Sequence, residues 1–130
     1  MDILLVAADL SSAERELIDR VLTDQCVGMK SVSGYAPAIE ALARRKHRIV
    51  VLAHLDSQGE FRTAEAIRIM KEIVPEVLII VVSEELPIAE ERELRESGLY
   101  YYLTRPLDEK ELRDVLTGAV AMQMHGRASL

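Results

Sequence analysis

The residues of this chain that could do chemistry gather after short apolar runs. Arg48-Ile49-Val50-Val51-Leu52 leads into Ala53-His54-Leu55-Asp56, which sets an imidazole and a carboxylate just past a strand-like stretch. Asp56 could accept a phosphoryl group, or it could turn the chain or cap the next helix. His54 could accept a phosphoryl group or ligate a metal, but no second His or Cys lies near it in sequence, which favours a structural histidine. Arg44-Arg45-Lys46-His47-Arg48 could bind phosphate, or it could be a solvated helix end whose cations suit the C-terminal dipole. The single Cys26 cannot form an internal disulfide, no Cys/His cluster has zinc spacing, and Cys26 reads as a small buried hydrophobe. No Gly-rich phosphate loop follows the first apolar run and no nucleophile–base pair is legible, so an enzyme is not expected.

The 130 residues are one domain's worth, and 49% hydrophobic with 29% charged residues is an ordinary globular balance. A net charge of -6 argues against direct nucleic-acid binding by this domain. No apolar run approaches the ~20 residues of a membrane helix. Met1 leads straight into a strand without a basic and long apolar leader. A reducing cytoplasm is expected, with no membrane partner, no metal and no cofactor.

The elements that position those residues alternate. Ile3-Leu4-Leu5-Val6 is a buried strand. Ser11 with Glu14 forms a capping box that starts a helix with Ala13, Leu17, Ile18, Val21 and Leu22 on one face. Gln25 to Ser33 is a weaker strand broken by Gly28. Pro37 sits in the first turn of a helix with Ala38, Ile39, Leu42 and Ala43 inward. After the strand at Ile49 comes a helix from about Arg62 to Val74, ended by Pro75. Val77 to Val82 is the longest buried run, and it ends in Ser83-Glu84-Glu85. A loosely held helix from Ile88 to about Ser97 is capped by Gly98. Leu99 to Thr104 is a fifth strand, terminated by Arg105-Pro106, and Asp108 caps a last helix with Leu112, Val115, Leu116 and Ala119 inward. Five strand–helix units predict a three-layer α/β/α domain over 1–122 with a parallel sheet covered on both faces. Residues 123–130 read as a C-terminal tail or the start of a linker. In such sheets ligands sit at the carboxyl ends of the strands.

With this order in place, the chain resembles the response-regulator receiver domain of two-component signalling. The most specific part is Gly98-Leu99-Tyr100-Tyr101-Tyr102-Leu103-Thr104-Arg105-Pro106-Leu107-Asp108-Glu109-Lys110-Glu111-Leu112, which is similar to the family's "G-A-x-x-Y-L-x-K-P-x-x-x-x-E-L" ending. Ile3 to Val6 and the Val81-Val82-Ser83 close of the fourth strand add to it. The resemblance implies a flavodoxin-like fold with strand order 2-1-3-4-5. It also implies a phosphorelay site: an acid pair for Mg²⁺, an acceptor Asp, a Ser or Thr, a Lys before Pro, and a switch aromatic. On this chain the acid pair falls on Ala7 and Ala8, with Asp9 at the less critical third position, and the acceptor falls on Ala53. The Ser/Thr is Ser83, the aromatic Tyr102, the structural proline Pro106, and the Lys has become Arg105. Glu84 stands where the family usually has a small residue, and its carboxylate would repel a phosphoryl group.

The resemblance therefore implies a pseudo-receiver, phosphorylation-independent, because alanine offers Mg²⁺ no side-chain oxygen and phosphoryl transfer rests on positioning and charge neutralisation. Such a domain would act by protein interaction or dimerisation, as the sensory part of a larger regulator such as a transcription regulator. The expected face is formed by the fourth helix, fifth strand and fifth helix, where exposed Tyr could anchor a partner. Arg105 is expected to pair with Asp9 or Glu84 and fill the empty pocket. Two alternatives stand beside this: a phosphoacceptor receiver using Asp56 or Asp9, and a small-molecule sensor using the pocket left by Ala7, Ala8 and Ala53.

Overall fold

The apolar runs become the inner strands of one sheet. The computed structural model describes residues 2–7, 10–45, 47–53 and 62–128, with side chains through Met124. In chain order the elements are β1 (Asp2–Val6), α1 (Ser12–Asp24), β2 (Gly28–Val32), α2 (Tyr35–Arg45) and β3 (Ile49–Leu52). They continue with α3 (Thr63–Ile73), β4 (Leu78–Ser83), α4 (Ile88–Glu96), β5 (Tyr101–Thr104) and α5 (Glu109–Ala128). All pairings are parallel, in the order β2-β1-β3-β4-β5. The three central strands are apolar at nearly every position because helices cover both of their faces. One core layer packs Leu4, Val6, Val50, Leu52, Ile79 and Val81 against α2, α3 and Leu94 of α4. The other packs Ile3, Leu5, Ile49, Val51, Ile80 and Val82 against α1 and α5. No described helix is long and apolar enough to cross a membrane.

Local signals fix the helix ends. Ser11 Oγ accepts from the Glu14 amide and Glu14 Oε1 accepts from the Ser11 amide, both at 3.2 Å, so the capping box is closed. Asp108 Oδ2 accepts the Glu111 amide at 2.9 Å and caps α5. Gly98 ends α4 with φ +105°, and a Cβ there would press on the Lys71 side chain.

Several expectations move. β2 starts at Gly28, and not at Gln25, because α1 and its turn consume Gln25 to Val27. Ala13 is exposed on α1, and on α2 Ala43 faces out while Ala41 is buried; the other expected residues of both stripes are buried or half-buried. The Arg44 guanidinium pairs with Glu40 at 2.7 Å and Arg48 with Glu76 at 3.5 Å, while buried His47 meets the Asp2 carbonyl through Nδ1 at 3.1 Å. Of the basic run, Arg44, His47 and Arg48 are thus engaged by neighbours.

Cys26 is exposed and not buried. It follows α1 in the left-handed region, with φ 57°. Its amide donates to the Thr23 carbonyl and the Val27 amide to the Leu22 carbonyl, both at 3.0 Å, the paired bonds of a Schellman turn. A non-glycine residue in this conformation costs roughly 1–2 kcal/mol, part of which glycine returns as unfolded-state entropy. Cys26→Gly is therefore expected to raise the unfolding free energy by about 0.5–1 kcal/mol in urea titration.

The largest departure lies at the C-terminus. α5 runs on to Ala128, past the boundary expected at residue 122. Gln123 is 5% exposed, and its Nε2 donates to the Arg48 carbonyl at 2.8 Å and the Glu76 carbonyl at 2.9 Å. The amide ties the helix to the amino ends of β3 and β4, so Gln123 belongs to the domain.

Candidate functional site

The strand ends that matter meet at one edge of the sheet. Ala7 follows β1 and its amide donates to the Val32 carbonyl at 3.0 Å. Ala53 follows β3, is 2% exposed, and its amide donates to the Val6 carbonyl at 2.8 Å. Ala8, Asp9, His54 and Asp56 lie outside the described residues. Ser83 closes β4 and is buried; Glu84 beside it is exposed. Arg105 follows β5, and the Arg105–Pro106 peptide is cis.

Arg105 reaches across this edge, and among the described residues its ionic partner is Glu14 and not Glu84, while the expected pairing with Asp9 falls outside the described residues. Nε donates to Glu14 Oε2 at 2.8 Å, and Nη2 donates to the Ala53 carbonyl at 3.2 Å. The two side chains are 21% and 19% exposed, so the pair is largely withdrawn from water. Glu14 thus serves twice: one oxygen closes the α1 cap and the other takes the guanidinium. Burial pushes the Glu14 carboxyl up, but the bonds from Arg105 and Ser11 and the Arg105 charge outweigh it and hold the group below its ordinary value. The sequence displays Glu14 only as a helix-start signal, and nothing in the residues around Arg105 points ninety positions back. Only the packing of α1 beside the β5–α5 loop brings them together.

The reason Glu84 is not chosen is geometric. Its side chain is exposed, while its carbonyl is taken by hydroxyls. Ser83 Oγ lies 2.7 Å from Tyr102 Oη, and both lie within bonding distance of the Glu84 carbonyl, at 2.7 and 2.6 Å. Two hydroxyl protons serve these three contacts, so one hydroxyl donates to the carbonyl and the other to its neighbour or to the same oxygen. Tyr102 is half-buried and packs against the α2–α3–α4 side of the core, so the tyrosine is held inward by Ser83.

The described residues at this edge offer Mg²⁺ no side-chain oxygen from the two positions at the ends of β1 and β3. Ala7 and Ala53 carry methyl groups, and the oxygen that Ala53 does offer, its carbonyl, already accepts from a guanidinium cation. Among the described residues no group of three or more His, Cys, Asp or Glu could hold a metal. A shallow cleft of about 490 Å³ lies outside the pair, lined by Ala13, Glu14, Leu17, Glu84, Arg105, Pro106 and Leu107.

On the far side of β5 the surface is open. α4 buries only Leu94, and Ile88 at its start is 75% exposed. Tyr101 is exposed, and its hydroxyl donates weakly to Glu111 Oε2 at 3.4 Å. Tyr100 precedes β5 and packs toward α5, so Tyr100 and Tyr101 share one groove while Tyr102 faces the other layer.

No protein-family model and no curated protein sequence matches the chain. Solved structures do. The chain is similar to NtrX from Brucella abortus, with TM-score 0.80 and 20% identity over 98% of this chain and 29% of NtrX. It is similar to a two-component response regulator from Clostridium difficile, with TM-score 0.78, 15% identity, and 93% and 96% of the two chains covered. It is also similar to the BeF3-activated DrrB receiver domain, with TM-score 0.76, 18% identity, and 92% and 97% covered. The fold is that of a response-regulator receiver domain. The flavodoxin-like order expected for that domain is the order observed. The chain spans under a third of NtrX, and identities this low speak for the fold and not for the chemistry.

Proposed function

We propose that this receiver-fold domain is a pseudo-receiver in signal transduction that works without phosphorylation, through protein interaction or self-association. One observation carries the reading. At the position matching the family's acceptor Asp stands Ala53, and the arginine matching the family's lysine donates to Ala53's own carbonyl. A methyl group cannot attack a phosphorus centre, and with the metal-binding carboxylate replaced at Ala7 little charge neutralisation is left for the transfer. Glu84 adds a negative charge to the approach. Exposed Ile88 and Tyr101, on a helix and a strand that leave their outer surface uncovered, supply apolar contacts for a partner or a second copy. The similarity to 29% of NtrX supports a place within a longer regulator whose output domain lies outside these 130 residues.

The test is direct. The protein is incubated with acetyl phosphate or beryllofluoride and Mg²⁺ and followed by intact mass and by amide NMR. No phosphoryl adduct and no shift of the Ser83 and Tyr102 resonances is the expected result. A stable adduct at Asp56 or Asp9 would overturn the proposal in favour of a working acceptor. Sedimentation over a range of concentrations, with and without the additives, reports whether self-association is independent of them.

A further inference from the structure

The hydrogen bonds around Arg105 form one continuous path between two surfaces. The Ser11 amide donates to Glu14, Glu14 holds the Arg105 guanidinium, and the guanidinium holds the Ala53 carbonyl. The same residue's backbone amide donates to the Ser83 carbonyl at 2.8 Å. Ser83 Oγ is bonded to Tyr102 Oη. The N-terminus of α1 and the end of β3 are therefore tied to the β5–α5 loop by the Arg105 side chain, and the end of β4 by the same residue's backbone amide.

We infer that the Glu14–Arg105 pair is a built-in clamp that fixes the Ser83–Tyr102 bond, and with it the shape of the α4–β5–α5 surface, in one state. The inference rests on the pseudo-receiver reading and names how that site is governed. Three features support it. The guanidinium is planar and presents Nε and Nη2 to two acceptors on different elements, so it fixes orientation as well as distance. Both partners are about four-fifths withdrawn from water, so competition from solvent is weak. Glu14 is itself immobilised by the capping box, so less entropy is lost in holding Arg105 than by two free side chains. Glu14 is accordingly a positioning residue: it acts on Tyr102 through Arg105 and touches neither Ser83 nor Tyr102.

Glu14→Gln separates this role from helix capping, because the amide oxygen still accepts the Ser11 amide while the charge on Arg105's partner is gone. The full chain and its Glu14→Gln and Arg105→Lys variants are compared by hydrogen exchange and by NMR of the Tyr102 ring. Exchange at the Ala53 and Arg105 amides is expected to quicken about tenfold in Glu14→Gln, with the Tyr102 ring signals shifting or broadening. Arg105→Lys keeps the charge but cannot present two N–H groups from a plane, and is expected to fall between parent and Glu14→Gln. Exchange at the Ile18 and Val21 amides serves as the control for α1 and should not change. Unaltered Tyr102 signals in a folded Glu14→Gln protein would overturn the clamp while leaving the pseudo-receiver reading intact. A phosphoryl adduct on the parent protein would remove that reading whatever the variants do.

Discussion

An Arg105→Ala variant is expected to unfold with about 2 kcal/mol less free energy than the parent, a fall in Tm of roughly 6–10 °C for a domain of this size. The loss has two parts. Glu14 keeps a charge that burial disfavours and loses the cation that offsets it. The Ala53 carbonyl, on a 2% exposed residue, loses its donor from Arg105. The figure stays below the 3–5 kcal/mol of a fully buried broken pair because a fifth of each side chain already meets water. An exposed pair such as Arg44–Glu40 gives the contrast: Arg44→Ala is expected to change stability by under about 0.5 kcal/mol.

The same pair sets a pH signature. Glu14's folded carboxyl is held below its unfolded value, so its contribution to stability is fully present above the unfolded pKa. It is lost as pH falls through the folded pKa. The stability gap between parent and Glu14→Gln should therefore be widest near neutrality and shrink in acid, read by urea titration at successive pH values. A gap that stayed constant down to strong acid would mean that the carboxylate charge contributes nothing.

Gln123→Leu is expected to cost about 1–2 kcal/mol, and ending the chain after Met122 about 2–3 kcal/mol. Leucine keeps the volume but donates nothing to the Arg48 and Glu76 carbonyls. The Arg48 carbonyl still accepts from the Leu78 amide, which limits the penalty. Truncation also unwinds the turn that holds Ala119 and Val120 against the sheet. A truncated protein as stable as the parent would show that residues past 122 are dispensable for folding.

The reason that Gln123 and Glu14 escape a reading of the sequence is the same. Each sits at a position whose local pattern has an adequate explanation: a polar residue beyond the last apolar stripe, and the closing glutamate of a capping box. The partners of Gln123 lie 75 and 47 residues away, and that of Glu14 lies 91 residues away. Periodicity reports which face of an element is buried, and it carries no information about which distant backbone oxygen that face will meet. The misplaced Cys26 differs. Its exposure follows from a turn built on backbone bonds, and the residue type, normally a core hydrophobe, is uninformative there.

Local sequence pattern was enough for the five strand–helix units and the parallel sheet with both faces covered. These follow from short apolar runs, capping residues and the Gly98-to-Leu112 motif, all local in the chain. Tertiary structure alone decided that Arg105 joins Glu14 and the Ala53 carbonyl, that Ser83 holds Tyr102 inward, and that Gln123 locks the last helix to β3 and β4. Side-chain pairing at a sheet edge depends on which loops and helix ends converge there, and convergence is a property of the packed layers rather than of any stretch of residues.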